Sequence, residues 1–499
     1  MTLRHTGSSA LAAVTLFTLI TPIHQTSHAT EAIIIGGGSE VHGSDTRFET
    51  SVRWVGSILS DHDVTFTTHF NDGQATEPDI FDHSTDPAHS RPLARIFGNA
   101  ELLRRHYRNH SLSKVDTSTR IKDLGPVIKS RLKDNIDEEL LFIHSGFGSH
   151  TGASEDSVSM NLWNNEKLTA KELHQLLEQH DRPIRFIFGH SYSGGFHRLA
   201  YRDPSTGLAL SDTTHCGFTS QSAYALAEFN PEQTDDGDYR DYLSYFFSAL
   251  SGYEYDGQII SRFADLNEDG ETSLREAHLF AMEEAMSVDR PLSTSEDYLL
   301  RWQPWYLRWQ PSQKPLPNNE YTRIFRTLAN RLKIPLDDNA AKSIREKMAQ
   351  VTSQVQAIEQ RLLVEQASIN HLRSMIRTEL VSKWPSLAEP YTHGFEALIR
   401  ADTLLSIDSY SRTLKPEYDE LLSLQKQTQL SKKEHLEIRR EAAQYQKLLQ
   451  LRHLALVKQQ LIQYGKAQQI GDYRSLLRCE QAPLRASTAT TQLTEETTQ

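Results

Sequence analysis

The most informative stretch of the chain is Ile184-Arg185-Phe186-Ile187-Phe188-Gly189-His190-Ser191-Tyr192-Ser193-Gly194-Gly195-Phe196, in which a mostly apolar run meets a polar, glycine-rich turn. A short apolar run bounded by such a turn predicts a buried strand. A second example lies upstream, where Phe142-Ile143 leads into His144-Ser145-Gly146-Phe147-Gly148. In a mostly parallel sheet, both turns follow strand carboxyl ends, which is where such sheets carry their functional groups.

The surrounding sequence predicts an α/β domain over residues 30–290, with a mostly parallel sheet flanked by helices. Short apolar runs alternate there with stretches whose apolar residues recur at helical spacing, as expected for a sheet with crossover helices. The predicted strands are Ala32–Ile35, Val64–Phe70, Leu140–Ile143 and Ile184–Phe188, and one predicted helix is Arg47–Leu59.

These two turns resemble the catalytic strand ends of the caspase-like and legumain-like cysteine peptidases of clan CD. In that superfamily one strand end is similar to SGHG, whose histidine is the base, and the other to DACYSGGF, whose cysteine is the nucleophile. Phe147 stands at the histidine position of this chain and Ser191 at the cysteine position. The resemblance covers about residues 32–290 and implies a caspase-like fold in which the catalytic dyad has been replaced.

The replaced dyad predicts an inactive peptidase. A serine hydroxyl needs a general base within hydrogen-bond reach, about 2.6–3.2 Å, and phenylalanine cannot be that base. His150 follows the first turn and is the candidate substitute base, so an active hydrolase using Ser191 stays open as the alternative. His144 is expected to be packed, and His190 to point away from Ser191 because side chains alternate in extended backbone.

A calcium-binding loop is predicted downstream of this region. The segment Asp265–Glu276 matches the EF-hand loop, in which side-chain oxygens, one main-chain carbonyl and a final bidentate glutamate surround the ion. Its predicted ligands are Asp265, Asn267, Asp269, the main-chain carbonyl of Glu271, Ser273 and Glu276. The alternative is a polar helix start in which Asp269 or Ser273 caps the following helix.

The second half of the chain predicts an all-α region. Apolar residues recur at heptad spacing over Asp338–Val381, with one defect at Glu365, and a second helical stretch over Glu417–Tyr464 can cover that seam. We therefore predict a coiled-coil hairpin over residues 336–470, with self-association through the same seam as the alternative. The predicted seam residues are Ile344, Met348, Val351, Val355, Ile358, Leu362, Ile369, Leu372 and Ile376.

A connector rich in Trp and Pro, residues 291–335, joins the two regions, and a mostly disordered tail is predicted over residues 471–499. The connector repeats the pattern Leu-Arg-Trp-Gln-Pro, which ends at Pro304 and again at Pro311. Its tryptophans either clamp the flanking regions together or form an exposed stacking platform. A shorter helical segment, Phe395 to Ile407, is predicted between the two long helices.

Residues 1–29 resemble a secretory signal peptide, so we expect an exported protein, either periplasmic or secreted. Arg4 precedes an apolar stretch, Ala10 to Ile20, and Ser27-His28-Ala29 fits a small-x-small cleavage site. A retained membrane anchor is the alternative, although the stretch is shorter than the roughly 20 residues that a membrane-spanning helix needs. No later segment predicts a membrane span.

The net charge and the cysteine content restrict the classes of partner that the chain can have. The chain has 53 Lys and Arg against 65 Asp and Glu, a formal net charge of −12, which argues against nonspecific nucleic-acid binding. Cys216 and Cys479 are the two cysteines, and whether they pair is left open. The predicted function is a binding or scaffold protein whose partner is another protein or a second copy, engaged through the coiled coil.

Overall fold

The computed structural model describes residues 30–73, 77–81, 96, 107–136, 138–152, 154–203, 207–228, 239–260, 262, 264–308, 315–337, 339–388, 409, 413 and 416–484. The predicted signal peptide, the segment Phe395 to Ile407 and the end of the predicted tail, residues 485–499, lie outside these residues. None of the described helices combines the length and the apolar character that crossing a membrane requires.

A six-stranded sheet forms the centre of the first half, in the order β11-β10-β9-β5-β1-β2. Every pairing in this sheet is parallel except that of β10 with β11, so the predicted α/β class with a mostly parallel sheet is confirmed. The strands are β1 (Glu31–Gly37), β2 (Thr65–Phe70), β3 (Ile80–Phe81), β4 (Tyr107–Arg108), β5 (Leu140–Gly146), β6 (Gly148–His150), β7 (Val158–Leu162), β8 (Glu166–Thr169), β9 (Ile184–Phe188), β10 (His215–Thr219) and β11 (Leu292–Ser293).

The helices cover both faces of the sheet and then continue as a helical C-terminal region. They are α1 (Thr46–Asp61), α2 (Ile121–Lys133), α3 (Ala170–Leu177), α4 (Tyr242–Ser251), α5 (Leu274–Glu284), α6 (Thr294–Trp302), α7 (Trp305–Arg308), α8 (Glu320–Arg331), α9 (Ala340–Lys383), α10 (Glu417–Tyr464) and α11 (Ala467–Glu480). On β1, Ala32 and Ile34 pack in the core with α1 and α4, whereas Ile33 and Ile35 pack in the core with α2 and α3. Burial on both faces explains why the strands are apolar runs rather than alternating ones.

The two long helices α9 and α10 pack along each other and run in opposite directions. Arg361 pairs with Glu434, and Glu365 accepts a hydrogen bond from Ser431, so the numbering rises on one helix as it falls on the other. The buried side chains of α9 include six of the predicted seam positions, namely Ile344, Val351, Ile358, Ile369, Leu372 and Ile376.

The seam defect at Glu365 is a buried carboxylate. Its side chain is 4% exposed, and its Oε1 accepts hydrogen bonds from Gln427 Nε2 at 2.9 Å and Ser431 Oγ at 3.1 Å. Both donors belong to α10. The interruption of the apolar heptads therefore coincides with a polar contact between the two helices.

The C-terminal end of the chain returns to the sheet, which corrects the predicted tail. Residues 471–480 belong to helix α11, so the predicted boundary at residue 471 is wrong. The carbonyls of Ala482 and Pro483 accept hydrogen bonds from Arg185 of β9 at 3.1 and 2.9 Å, and Cys479 forms a disulfide with Cys216 of β10. Tyr473 and Leu476 hold α11 in place through buried apolar contacts. The tail was predicted from the Ser/Thr/Gln-rich sequence after Pro483, which gives no sign of these contacts.

The connector is mostly helical and packs against its neighbours. Trp302 is 6% exposed, and its indole N–H donates to Gln469 of α11 at 3.0 Å, as expected for a clamp. Trp305, in contrast, is 73% exposed. Trp302 therefore fits the clamp, and the exposure of Trp305 fits the stacking platform. Trp309 lies outside the described residues.

The disulfide is expected to stabilise the whole fold. It joins residues 263 positions apart, so it restricts the unfolded chain while it fastens α11 to β10. Reduction should lower the free energy of unfolding by about 2–4 kcal/mol. Denaturant titration with and without reductant measures this, and the double variant Cys216→Ser/Cys479→Ser is the control, because it should ignore the reductant. Equal stability of the oxidised and reduced chains would contradict the expectation.

Candidate functional site

The two motif-bearing strands are neighbours in the sheet, so their turns meet at one edge. β5 pairs with β9 in parallel, with Leu140 opposite Ile184 and His144 opposite Phe188. The main-chain N–H of Gly189 still donates to the carbonyl of His144, at 3.1 Å, just beyond the last strand pair. The structure therefore brings the turns that carry Phe147 and Ser191 together, as the sequence predicts.

Phe147 fills its position with a packed aromatic ring. The ring lies edge-on against Phe48 of α1, with 4.8 Å between ring centroids, and is partly buried beside the main core. Its side chain carries no atom that can accept a proton. The position at which the resemblance expects a catalytic base thus holds a packed aromatic ring.

Ser191 is buried, and its hydroxyl has a structural partner. The side chain is 9% exposed, and Oγ accepts a hydrogen bond from the main-chain N–H of Ala227 at 3.0 Å. The next residue, Tyr192, has φ of 65°, a left-handed conformation that turns the chain sharply, and its N–H donates to the carbonyl of Ala225 at 2.8 Å. In the described part of the chain, no histidine nitrogen is hydrogen-bonded to the Ser191 hydroxyl.

His190 and His144 form a buried neutral pair beneath the turn. Their ring centroids are 4.7 Å apart, and both side chains are at most 1% exposed. His190 Nδ1 donates to the main-chain oxygen of Ser191 at 2.9 Å rather than to its hydroxyl. Burial lowers the pKa of His190 to about 4 and the pKa of His144 well below its ordinary value, and the neighbouring His190 also lowers the latter.

His150, the candidate substitute base, lies at the same edge but is engaged elsewhere. Its Nε2 donates to the carbonyl of Ser154 at 3.1 Å. Its ring packs between two tyrosines, with centroids 5.7 Å from Tyr192 and 5.4 Å from Tyr224. The structure places His150 next to the turn of Ser191 without giving it the hydrogen bond that a catalytic base requires.

These three rings form a surface feature that the sequence analysis missed. We name His150, Tyr192 and Tyr224 the edge patch; Tyr224 is 62% exposed, and Leu226, two residues further on, is 54% exposed. Exposed aromatic rings beside apolar side chains are typical of protein-binding surfaces. The sequence signal was the occurrence of two large apolar residues, Tyr224 and Leu226, in a segment that forms neither a strand nor a helix. Such a segment has no buried face to cover them.

A narrow cleft lies on the other side of this sheet edge. This cleft lies beside Ser145, Gly146 and Gly189 and is walled by aromatic residues of α1 and of the region around α4. Its free volume is about 10 Å³, roughly the space of one water molecule. Tyr224 of the edge patch is the more exposed aromatic side chain at this edge among the described residues.

The predicted calcium loop folds around its own main chain. The Asp265 carboxylate accepts hydrogen bonds from the N–H groups of Glu268, Asp269 and Gly270, and Glu276 Oε1 accepts from those of Leu266 and Asn267. Gly270 has φ of 92°, as the predicted sharp turn requires.

Ser273 caps helix α5, as the alternative for this loop expects. Its hydroxyl accepts from the N–H of Glu276 at 3.2 Å, and the Glu276 carboxylate in turn accepts from the N–H of Ser273 at 2.9 Å. No three histidine, cysteine or acidic side chains within the described ranges are grouped so as to hold a metal ion. The oxygen ligands nevertheless fit calcium in type, because a hard cation prefers carboxylate, amide and carbonyl oxygens.

Comparisons with known proteins leave the family of the chain open. No protein-family profile matches it, and no curated protein matches it. Among solved structures, a similarity is found to Raptor of Chaetomium thermophilum, with 13% sequence identity and a TM-score of 0.25. The match covers 78% of this chain and 39% of that chain, and a TM-score this low supports no argument about fold or function.

The buried His190 predicts a loss of stability in acid. Its pKa falls from 6.5 to about 4 on folding, so between these values the unfolded chain binds a proton that the folded chain does not. The free energy of unfolding should therefore decrease as the pH falls from 6.5 to 4, by up to about 3 kcal/mol from this residue.

Denaturant titrations at several pH values measure this slope. His190→Asn keeps a donor near the Ser191 carbonyl and cannot titrate, so its stability should fall less steeply over the same pH range. Parallel stability curves for the variant and the wild type would refute the assignment.

Proposed function

We propose that this chain is an exported caspase-like or legumain-like peptidase homologue that has no peptidase activity and acts as a calcium-stabilised binding or scaffold protein. The observation that carries the proposal is the state of Ser191, whose hydroxyl is held by the main-chain N–H of Ala227 at 3.0 Å. Phe147 occupies the other catalytic position and packs on Phe48. Neither strand end provides the base that hydrolysis by a serine needs.

The sheet supports the caspase-like part of this proposal. The two strands whose ends resemble the peptidase motifs are adjacent and parallel, so the resembling residues share one edge. The two turns also approach each other closely at Gly148. A Cβ atom at this position would lie 2.2 Å from His190 Nδ1 and 2.3 Å from the Ser191 carbonyl oxygen, so only glycine fits. A catalytic site built from two residues requires such a close approach between the two turns. An inactive homologue would be expected to keep it.

Two surfaces are available for binding. The edge patch exposes Tyr224 beside the Ser191 turn, where it packs with the half-buried ring of His150. The long helices α9 and α10 expose Leu363, Val364 and Leu430, which are 64%, 67% and 62% exposed. We propose that these helices form a coiled-coil hairpin that engages another protein or a second copy of the chain, and that the edge patch contributes a second contact.

The alternative function is hydrolysis by Ser191 with His150 as base. Its support is the position of His150, whose ring contacts Tyr192, the residue next to Ser191. A rotation of the His150 side chain away from the Ser154 carbonyl would be needed before it could serve.

Hydrolysis assays distinguish the two functions. We expect the purified mature chain to show only background turnover of a mixed panel of peptide and ester substrates, with calcium or with chelator, and Ser191→Ala to give the same traces. Ser222→Ala, in the nearby loop, is the matched control. Turnover that disappears in Ser191→Ala and persists in Ser222→Ala would establish the hydrolase instead.

Calcium should stabilise the loop Asp265–Glu276. At 100 times its dissociation constant, calcium should raise the free energy of unfolding by about 2.7 kcal/mol. Asp269→Asn, which removes a ligand charge, should weaken this effect. Glu271→Gln removes the same charge from the same loop but keeps the proposed main-chain ligand, so it should respond like the wild type. Thermal unfolding with calcium or chelator tests this, and identical melting temperatures for the wild type would refute calcium binding.

A further inference from the structure

The segment Gln221–Glu228 lies over the Ser191 turn, and we name it the lid segment. It contacts the turn through its own main chain, because the N–H of Ala227 donates to Ser191 Oγ at 3.0 Å and the carbonyl of Ala225 accepts from the N–H of Tyr192 at 2.8 Å. The same segment exposes Tyr224 of the edge patch. The position of the lid segment therefore decides how the Ser191 turn and the edge patch are presented.

The lid segment is held by the stretch of chain that precedes β11. The N–H of Glu228 donates to Asp289 Oδ1 at 2.7 Å, and the N–H of Val288 donates to Glu228 Oε2 at 2.8 Å. Gln221 Nε2 donates to the carbonyl of Val288 at 3.1 Å. Both ends of the lid segment are thus hydrogen-bonded to residues 288 and 289.

Helix α10 binds this same stretch with a row of polar side chains. Gln444 Nε2 donates to the carbonyl of Ser287 at 2.9 Å, and Lys447 Nζ donates to that of Ala285 at 2.8 Å. Residues spaced by three and four lie on one face of a helix, so these side chains form a stripe that faces the chain segment. Val288 also packs with the apolar side chains of Leu436 and Ala443.

The stripe begins at Arg440, which reaches the lid segment itself. Arg440 Nε donates to Glu228 Oε1 at 2.7 Å, and Arg440 NH2 forms a second contact with the same carboxylate. The two side chains are 5% and 7% exposed. Removal of Arg440 would leave the Glu228 carboxylate as an uncompensated buried charge, whereas Arg440 without Glu228 keeps its contact with Glu437 at 2.7 Å.

We propose that the Arg440–Glu228 pair is a latch by which the long helices hold the lid segment closed over Ser191. Loss of the pair leaves this end of the lid segment held by residues 288 and 289 alone, and so weakens its hydrogen bond to Ser191. Binding at the edge patch and binding on the long helices are then coupled, and the coupling acts equally in both directions. The latch itself requires neither hydrolysis nor calcium, whereas the coupling rests on the two binding surfaces of the proposed function.

Amide hydrogen exchange of the full mature chain tests the latch. Arg440→Gln should speed exchange of the Ala227 and Glu228 amides, which donate to Ser191 Oγ and Asp289 Oδ1, at least tenfold, while the amides of β1 keep the wild-type rate. Arg439→Gln, one residue away on the same helix, is the matched control and should leave the lid segment protected. Glu228→Gln removes the charge from the other side and should act in the same direction as Arg440→Gln.

Two results would overturn the proposal. One is a lid segment that exchanges in Arg440→Gln as slowly as in Arg439→Gln. The other is a rise in exchange that is equal in the lid segment and in β1, because that would mean general destabilisation. If Arg440→Gln does not fold, an unchanged lid segment in folded Glu228→Gln refutes the latch.

Discussion

Arg275 is the buried cation on which the arrangement of the helices depends. It lies on α5 with 4% of its side chain exposed, and it donates to Glu480 of α11 at 2.6 Å and to Glu320 of α8 at 3.0 Å. Ser295 and Lys458 bind the same two carboxylates, which adds α6 and α10 to the network. Buried charges are tolerated only when every partner is in place, so these five helices must assemble together.

This dependence explains why the C-terminal helix belongs to the sheet rather than to a tail. Glu480 closes the charge network and Cys479 is bonded to β10, so the last described residues complete the first domain of the chain. The long helices α9 and α10 are consequently inserted between two parts of one folded unit. The start of α9 and the end of α10 pack in one core cluster with Cys216 of β10, and Arg440 of α10 reaches Glu228.

The sequence predicted the architecture where a local pattern sufficed. Ile184–Phe188 matches β9, and the seam positions of α9 are largely buried, because hydrophobic periodicity determines which residues face a core. The strand β5 runs on to Gly146, since Ser145 and Gly146 continue to pair with Gly36 and Gly37 although they are not apolar. The partner of Ser191 was beyond prediction, because the donor is the main-chain N–H of Ala227 and every residue but proline carries that group. The helix over residues 471–480 was missed for a related reason. Glu480 is held by Arg275, 205 positions away, and Cys479 by Cys216, 263 positions away.

The carboxylate of Glu365 makes the pairing of the long helices unambiguous. A slip of α10 by one heptad would replace Ser431 and Gln427 opposite Glu365 with either Leu424 and Glu420 or Ile438 and Glu434. Each alternative buries the charge against an apolar side chain and a second carboxylate. Two copies of α9 aligned in parallel would likewise bring two Glu365 side chains face to face. One acidic residue in an otherwise apolar seam therefore favours the observed alignment over slips by one heptad. It also disfavours self-association through the seam, so a partner would bind the outer surfaces of the helices.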